Sequence, residues 1–217
     1  MRTLVVSSAC APTLVSLVSG GDVLAHRRID EATGLAAALP IVVAEVLAHH
    51  EPPDLIAVVV GPGSFTSLRA GMSVAIGVAL GLGVPCVGVT VAEAFAQAAG
   101  NDMLDGRALW TALGARRGRV FIDAGGRMAG YDLDRLPAAQ GRFAVCGNAA
   151  NAVCGALAAK GVEIMLTNLR IPDPACVAHI AQDRAAGRLP PLQAVPLYVD
   201  APQAMLPTGG LRASPVT

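Results

Sequence analysis

LIAVVVGPGSFTSLRAG, residues 55–71, joins an unbroken apolar run to a glycine turn and the start of a long helix. Leu55–Val60 carries no polar residue, which is the pattern of a strand buried on both faces of a parallel sheet. Gly61-Pro62-Gly63 turns the chain, and Ser64 stands where a helix N-cap belongs. A strand–glycine–helix turn of this kind gathers unpaired backbone N–H groups and the positive helix end at one point, which suits a phosphate. Gly61, Gly63, Ser64 and Thr66 are therefore the candidate phosphate- or nucleotide-proximal loop. It is not a P-loop, because the G-x-x-x-x-G-K-[ST] spacing is absent and the nearest cation is Arg69. Nor is it a G-x-S-x-G nucleophile elbow, since Phe65 and Thr66 follow Ser64.

Outward from this stretch the periodicity gives a repeated order of elements. Upstream, residues 2–8, 13–18 and 22–28 read as a three-strand meander with a Gly20-Gly21 turn, followed by a helix over about 33–50. Pro40 should bend or restart that helix. Downstream lie a helix over about 64–82, a strand at 85–89 and a helix at about 91–99. The order then recurs: strands at 107–113, 118–123 and 127–132, a weak helix near 134–139, a strand at 143–146, a helix at 149–159, a strand at 162–166 and a helix at 174–186. This predicts two similar α/β lobes with mixed sheets, 1–102 and 103–217, divided near Gly100–Asp105, with a loose tail after about 202.

Composition removes several function classes. The 217 residues are 53% hydrophobic and 15% charged, which supplies a core and argues against disorder. Sixteen basic residues balance sixteen acidic ones, so no global field draws the chain to nucleic acid, and 3% aromatics are too few for base-stacking platforms. Five cysteines form no CxxC pair and the four histidines are scattered; His49 and His50, being adjacent, cannot face one metal together. No metal site is expected. The thiols read as small apolar residues of a reducing cytoplasm. Arg2 with LVVSSACAPTLVSLV imitates a short signal peptide, but Ala11-Pro12 and the intervening Ser and Thr fit two strands better. Ala70–Ala92 has no charge and bilayer length, yet Gly83-Val84-Pro85 divides it, so no membrane span is expected.

As a string, GPGSFTSLRAGMSVAIGVALGLGVPCVGV resembles the hallmark of the TsaB (YeaZ) family, GPGSFTGLR-x-G followed by a small-residue helix and a GVP-x-x-GV strand. The likeness is strong from Leu55 to Phe95. It continues more weakly in GARRGRVF at 114–121, FAVCGN at 143–148 and Pro196-Leu197-Tyr198. The resemblance implies the actin-like, Hsp70-like ATPase fold of two ribonuclease-H-like lobes. It implies a non-catalytic subunit that partners TsaD, the transferase placing threonylcarbamoyl on the tRNA adenosine next to the anticodon, with the ATPase TsaE joining them. On this reading no residue here is catalytic and no cofactor is required by this chain. ATP or ADP would sit at the complex interface, a homodimer is an alternative assembly, and tRNA is reached only through the complex.

Departures from the family pattern bear on this. Ser7 stands where the first strand usually ends in Asp, the carboxylate with which actin-like phosphotransferases organise a metal. The family's His-containing segment falls at Gly34–Pro40 without its His, a second-lobe Asp falls at Gly114, a hallmark Gly becomes Ser67, and the Arg of a terminal Y-x-R becomes Asp200. These losses count against the competing readings, an autonomous actin-like ATPase or small-molecule kinase relative and a peptidase. The family pairs through a helical face. Apolar stripes on the first and second long helices put Leu39, Val43, Ala70, Val74, Gly77 and Val78 on the expected partner interface.

Overall fold

The apolar runs become the central strands of two sheets. The computed structural model describes residues 1–30, 34–115, 118–138 and 141–200. The expected tail after about 202 lies outside them. β1 (Arg2–Ser7), β2 (Thr13–Ser19) and β3 (Asp22–Ile29) form an antiparallel meander. Gly20 and Gly21 make its second turn at positive φ, 61° and 92°, where a side chain would be strained. β4 (Leu55–Gly61) runs parallel to β1, and β5 (Cys86–Thr90) runs parallel to β4. Every residue of β4 is buried, as its lack of polar residues requires, whereas β3 is an edge strand and mostly exposed.

The second sheet repeats the plan with β6 (Ala108–Gly114), β7 (Arg119–Ala124), β8 (Met128–Asp132), β9 (Phe143–Cys146) and β10 (Ile164–Leu166). The orders are β3-β2-β1-β4-β5 and β8-β7-β6-β9-β10, so in each the first strand is central, flanked by the second and fourth. This is the two-lobed, ribonuclease-H-like arrangement of the actin-like fold. Alternation along β6 divides its contacts: Trp110 and Ala112 face a core against the helix after β9, while Leu109 and Leu113 face the core of the first sheet.

Among the described residues, five α-helices cover the sheets. α1 (Leu35–Leu47) and α2 (Phe65–Leu82) pair with each other over the first sheet. α1 runs through Pro40 as one helix rather than restarting, because Pro40 is exposed and so is Ala36, whose carbonyl loses its helical donor to the ring. α2 is long and apolar enough to cross a bilayer by length and composition. Here Leu68, Met72, Ala75 and Ala79 spend one side of it against β4 and α1. α3 (Val91–Leu104) opens with a capping box, Thr90 accepting from the Glu93 amide while the Glu93 carboxylate accepts from the Thr90 amide, and it breaks at Gly100. α4 (Ala150–Ala158) packs on the second sheet. A short 3-10 turn, Leu133–Arg135, stands where a weak helix was expected.

α5 (Pro174–Ala185) changes the expected division of the chain. It follows the second sheet in sequence but buries Val177, Ala178, Ile180 and Ala181 in the core of the first, against β1, β4 and β5. The segment 103–217 is therefore not one packing unit. The apolar face of α5 is covered by the first sheet beside α3.

From α5 the chain continues as an extended strap, residues 186–200. Leu192 and Ala194 turn toward the first core while Gln193 and Val195 face outward. The Gly88 amide donates to the Leu192 carbonyl at 2.8 Å, and the Leu197 amide donates to the Val60 carbonyl at 2.8 Å. The strap thus lies along edge strand β5 and reaches the end of β4.

Candidate functional site

β4 delivers Gly61, Gly63 and Ser64 to one point, as the sequence required. Gly61 has φ 119° and a cis bond to Pro62. Ser64 is extended and exposed at the N-cap of α2, but its side chain makes no capping bond. What packs into the turn is protein. A Cβ on Gly63 would overlap the Ala9 carbonyl oxygen and lie 2.7 Å from the Ala9 carbonyl carbon. One on Gly71 would overlap the Ser8 hydroxyl, and one on Gly61 would meet the Leu197 carbonyl at 3.1 Å. These glycines let the β1–β2 turn and the strap approach the loop. Ser67, where the family pattern has Gly, is buried in the first turn of α2.

A cavity of about 100 Å³ remains beneath the loop, lined by Ser8, Cys10, Thr13, Asp30, Ser64 and Ser67. Among the described residues its charged lining group is Asp30, a carboxylate already held by Arg28 at 2.6 Å. Arg69 does not turn into it: the guanidinium lies 3.9 Å over the Phe65 ring, and its Nε donates to the Tyr198 hydroxyl at 2.9 Å. Ser7 and Ser8 are buried with hydroxyls that find no partner among the described residues. In the second lobe, the Gly114 amide donates to Asn148 Oδ1 at 2.8 Å, with no carboxylate at that turn. Among the described residues this lining offers serine and threonine hydroxyls and a carboxylate already paired with Arg28, with no cation turned into it, a donor set that suits a metal-bound triphosphate poorly. Thr66 is exposed on α2.

Other chemistries find little to work with. No group of three metal-ligating side chains occurs among the described residues. His49 and His50 are exposed, His26 Nδ1 is 2.8 Å from Ser16 Oγ, and His179 lies 3.5 Å from Asp183. Burial pushes the Cys10 thiol up to about 12 and Cys146 up to about 11, so neither is a ready nucleophile. A second cavity, about 210 Å³, lies beside Arg107, Arg142 and Glu163 on the second sheet. Both arginines there are engaged by Asp105, whose carboxyl is held below its usual range first by the Arg107 hydrogen bond and then by Arg142.

The helical face needs correction in detail. Leu39 and Val43 are buried in the chain's own core and are not available to a partner. Ala70, Val74 and Val78 are half-buried and pack against that core, while Gly77 is open to solvent. The side chains that do stand out are Ile41 at 62% exposure, Leu80 at 78%, Leu82 at 42% and Ile76 at 37%. Thr66, Arg69 and Ser73 mark the outward side of α2, and the Ala70–Val74–Val78 stripe lies between that side and the buried one. The buried one is Leu68–Met72–Ala75–Ala79, which leaves Ile76 and Leu80, four apart, on the outside.

A family model described as TsaD, tRNA N6-adenosine threonylcarbamoyltransferase, matches residues 32–143, slightly more than half of the chain. The tRNA threonylcarbamoyladenosine biosynthesis protein TsaB of Escherichia coli is 33% identical over 125 residues, 56% of this chain and 53% of that protein. The chain belongs to the family that this family model describes and is similar to TsaB within it. Its alignment spans about half the length of the E. coli relative. Two solved structures share the fold along nearly the whole chain. YeaZ from Pseudomonas aeruginosa superposes with a TM-score of 0.70 at 21% identity, covering 91% of this chain and 99% of that one. A P. aeruginosa protein described as similar to the peptidase YeaZ gives 0.68 at 21% identity, covering 92% and 99%.

Within that family fold, the residues missed by sequence reasoning are mainly those of the strap. Arg184, only 4% exposed at its side chain, donates to the Gly88 carbonyl at 2.6 Å, to the Pro190 carbonyl at 2.8 Å and to Glu93 Oε1 at 2.6 Å. At the other end Tyr198 stacks on Phe65 with ring centres 5.4 Å apart, and Asp200 accepts from Arg119 Nη1 at 2.6 Å. No periodicity signals these contacts, since the strap is an irregular chain fastened by long-range bonds.

Proposed function

We propose that this chain is a non-catalytic subunit of tRNA threonylcarbamoyladenosine biosynthesis, one that binds and supports a TsaD-like transferase acting on the tRNA adenosine next to the anticodon. The observation that carries the reading is the set of large apolar side chains left exposed on α1 and α2. Ile41, Ile76, Leu80 and Leu82 stand out from two helices that already fill their own core with other residues. A set of large apolar side chains on one pair of helices gains by burial against a complementary helix pair. What supports the non-catalytic part of the proposal is that, among the described residues, Asp30 in the cavity beneath the Gly61 loop is already paired with Arg28 and Arg69 is turned away to Tyr198. ATP or ADP then belongs to the assembled complex, with a TsaE-like ATPase as its third member, and this chain requires no cofactor of its own. tRNA is met through the partner, and the setting is the cytoplasm. A second copy of the chain is the alternative occupant of the same face when the transferase is absent.

The test is co-purification with the TsaD-like protein of the same organism, with and without the TsaE-like ATPase and ATP, scored also by restored threonylcarbamoylation. Leu80→Arg and Ile76→Arg should abolish complex formation while leaving the melting temperature of the isolated chain unchanged. Retained binding by both variants would remove the face from the interface. Steady ATP turnover by the isolated chain would instead favour the autonomous hydrolase.

A further inference from the structure

We propose that residues 188–200 form a clasp between the two sheets, rooted immovably at Arg184 and locked releasably at its tip by the Arg119–Asp200 ion pair. The two ends differ in kind. At the root, the Arg184 guanidinium is buried and satisfied three times, by the first sheet, by α3 and by the strap itself. Gly88 is bare there for a reason, since a Cβ would lie 2.6 Å from the Gln193 carbonyl oxygen. At the tip, the fastening groups are more than a third exposed: Arg119 at 35% and Asp200 at 39%. Exposed pairs of this kind are weak and salt-screened, while buried ones are costly to break.

The tip holds elements of both sheets at once. Tyr198 engages Phe65 and Arg69 on α2, and two residues later Asp200 engages Arg119 on β7. The lock has a shaped seat, because a Cβ on Gly130 of β8 would lie 2.7 Å from Arg119 Nη2 and 3.2 Å from Asp200 Oδ1. Between root and tip the Leu197 amide bonds the Val60 carbonyl beside Gly61. Lifting the tip therefore uncovers the Gly61 turn and releases Arg69 from Tyr198 and Arg119 from Asp200 in a single movement, Arg119 keeping its 3.8 Å pairing with Asp132, while the root stays fixed.

Amide hydrogen exchange of the full chain, read at Leu197 for the tip and Gly88 for the root, tests the clasp. Asp200→Ala and Arg119→Ala should each speed Leu197 exchange about two- to five-fold in low salt. The double variant should match the single ones rather than multiply them, since both remove one interaction. Asp200→Arg should exceed either, and Gly88 should keep wild-type protection throughout. In the wild type, rising salt should reproduce the Asp200→Ala effect, and in Asp200→Ala it should do nothing more. Unchanged Leu197 exchange in Asp200→Ala, multiplicative effects in the double variant, or Gly88 and Leu197 accelerating together would each overturn the proposal. Asp200→Asn, which removes the charge at constant size, decides the matter if the alanine variant loses its helical dichroism.

Discussion

Gly63→Ala is the sharpest test of what the glycine loop is for. Gly63 is not among the positive-φ glycines, so alanine meets no backbone penalty and any effect is steric. The new Cβ would overlap the Ala9 carbonyl oxygen and sit 2.7 Å from Ala9 C and Cα, where ordinary contact begins at 3.4 Å. Ala9 is backbone between β1 and β2, both paired along their length, and cannot swing aside like the end of a flexible side chain. The cost belongs at the upper end of the overpacking range, about 3 kcal/mol, which for a chain of this length lowers the melting temperature by about 6–12 °C. Gly77→Ala is the matched control within the same family hallmark. It lies in α2 with nothing within 4 Å of its Cβ, so alanine should gain about 0.5–1 kcal/mol of helix stability and raise the melting temperature by about 1–4 °C. Thermal and urea unfolding of both variants, followed by circular dichroism, measures the pair. If Gly63→Ala melts within about 2 °C of the wild type, the close packing of the β1–β2 turn is not why that glycine is there.

Further outcomes follow from other contacts. Arg184→Met leaves Glu93 and two carbonyls without their donor and should cost about 2–4 kcal/mol in urea unfolding, somewhat less than a fully buried pair because Glu93 is 36% exposed. Thr90→Ala removes the α3 capping box and should cost about 1 kcal/mol in the same assay. For the thiols, folded Cys10 and Cys146 have pKa values raised above that of an unfolded thiol, about 8.5, so their contribution is intact below that pH. It declines as pH rises from there toward about 11, by about 1.4 kcal/mol per pH unit per thiol, and urea unfolding at pH 7, 9 and 10 should show the fall. At pH 8 iodoacetamide should leave both unmodified until the chain is unfolded.

The sheet order was legible because the apolar runs differ in kind. Leu55–Val60 had to be a central strand, the glycine pair at 20–21 had to be a turn, and both halves repeated one series of elements. The glycine loop itself was legible as a structure, but its ligand was not. Gly61 and Gly63 read as a turn open to a phosphate, whereas a Cβ on Gly63 would meet Ala9 and one on Gly61 would meet Leu197. A missing Cβ marks a close approach, and the sequence does not say by what. The partner face was placed too far inward on α1, where Leu39 and Val43 are buried, while on α2 the Ala70–Val74–Val78 stripe lies between the buried side and the outward side that Thr66, Arg69 and Ser73 mark. Asp200 showed the opposite case: a departure from pattern in the sequence, it found its meaning only when Arg119 appeared opposite.

The crossing of α5 has a consequence for how this chain is made. A ribosome delivers β1 long before α5, yet Val177, Ala178, Ile180 and Ala181 close the face of the sheet that β1 begins. While residues 108–173 are being synthesised, α3 covers only part of that face, and the nascent first lobe carries an open apolar surface. Completion of the first sheet therefore waits for α5. The two sheets mature as a loop closed by a late segment rather than as two beads formed in turn. Expressed alone, residues 1–105 should expose that surface and aggregate, and adding residues 170–200 in trans should rescue their solubility.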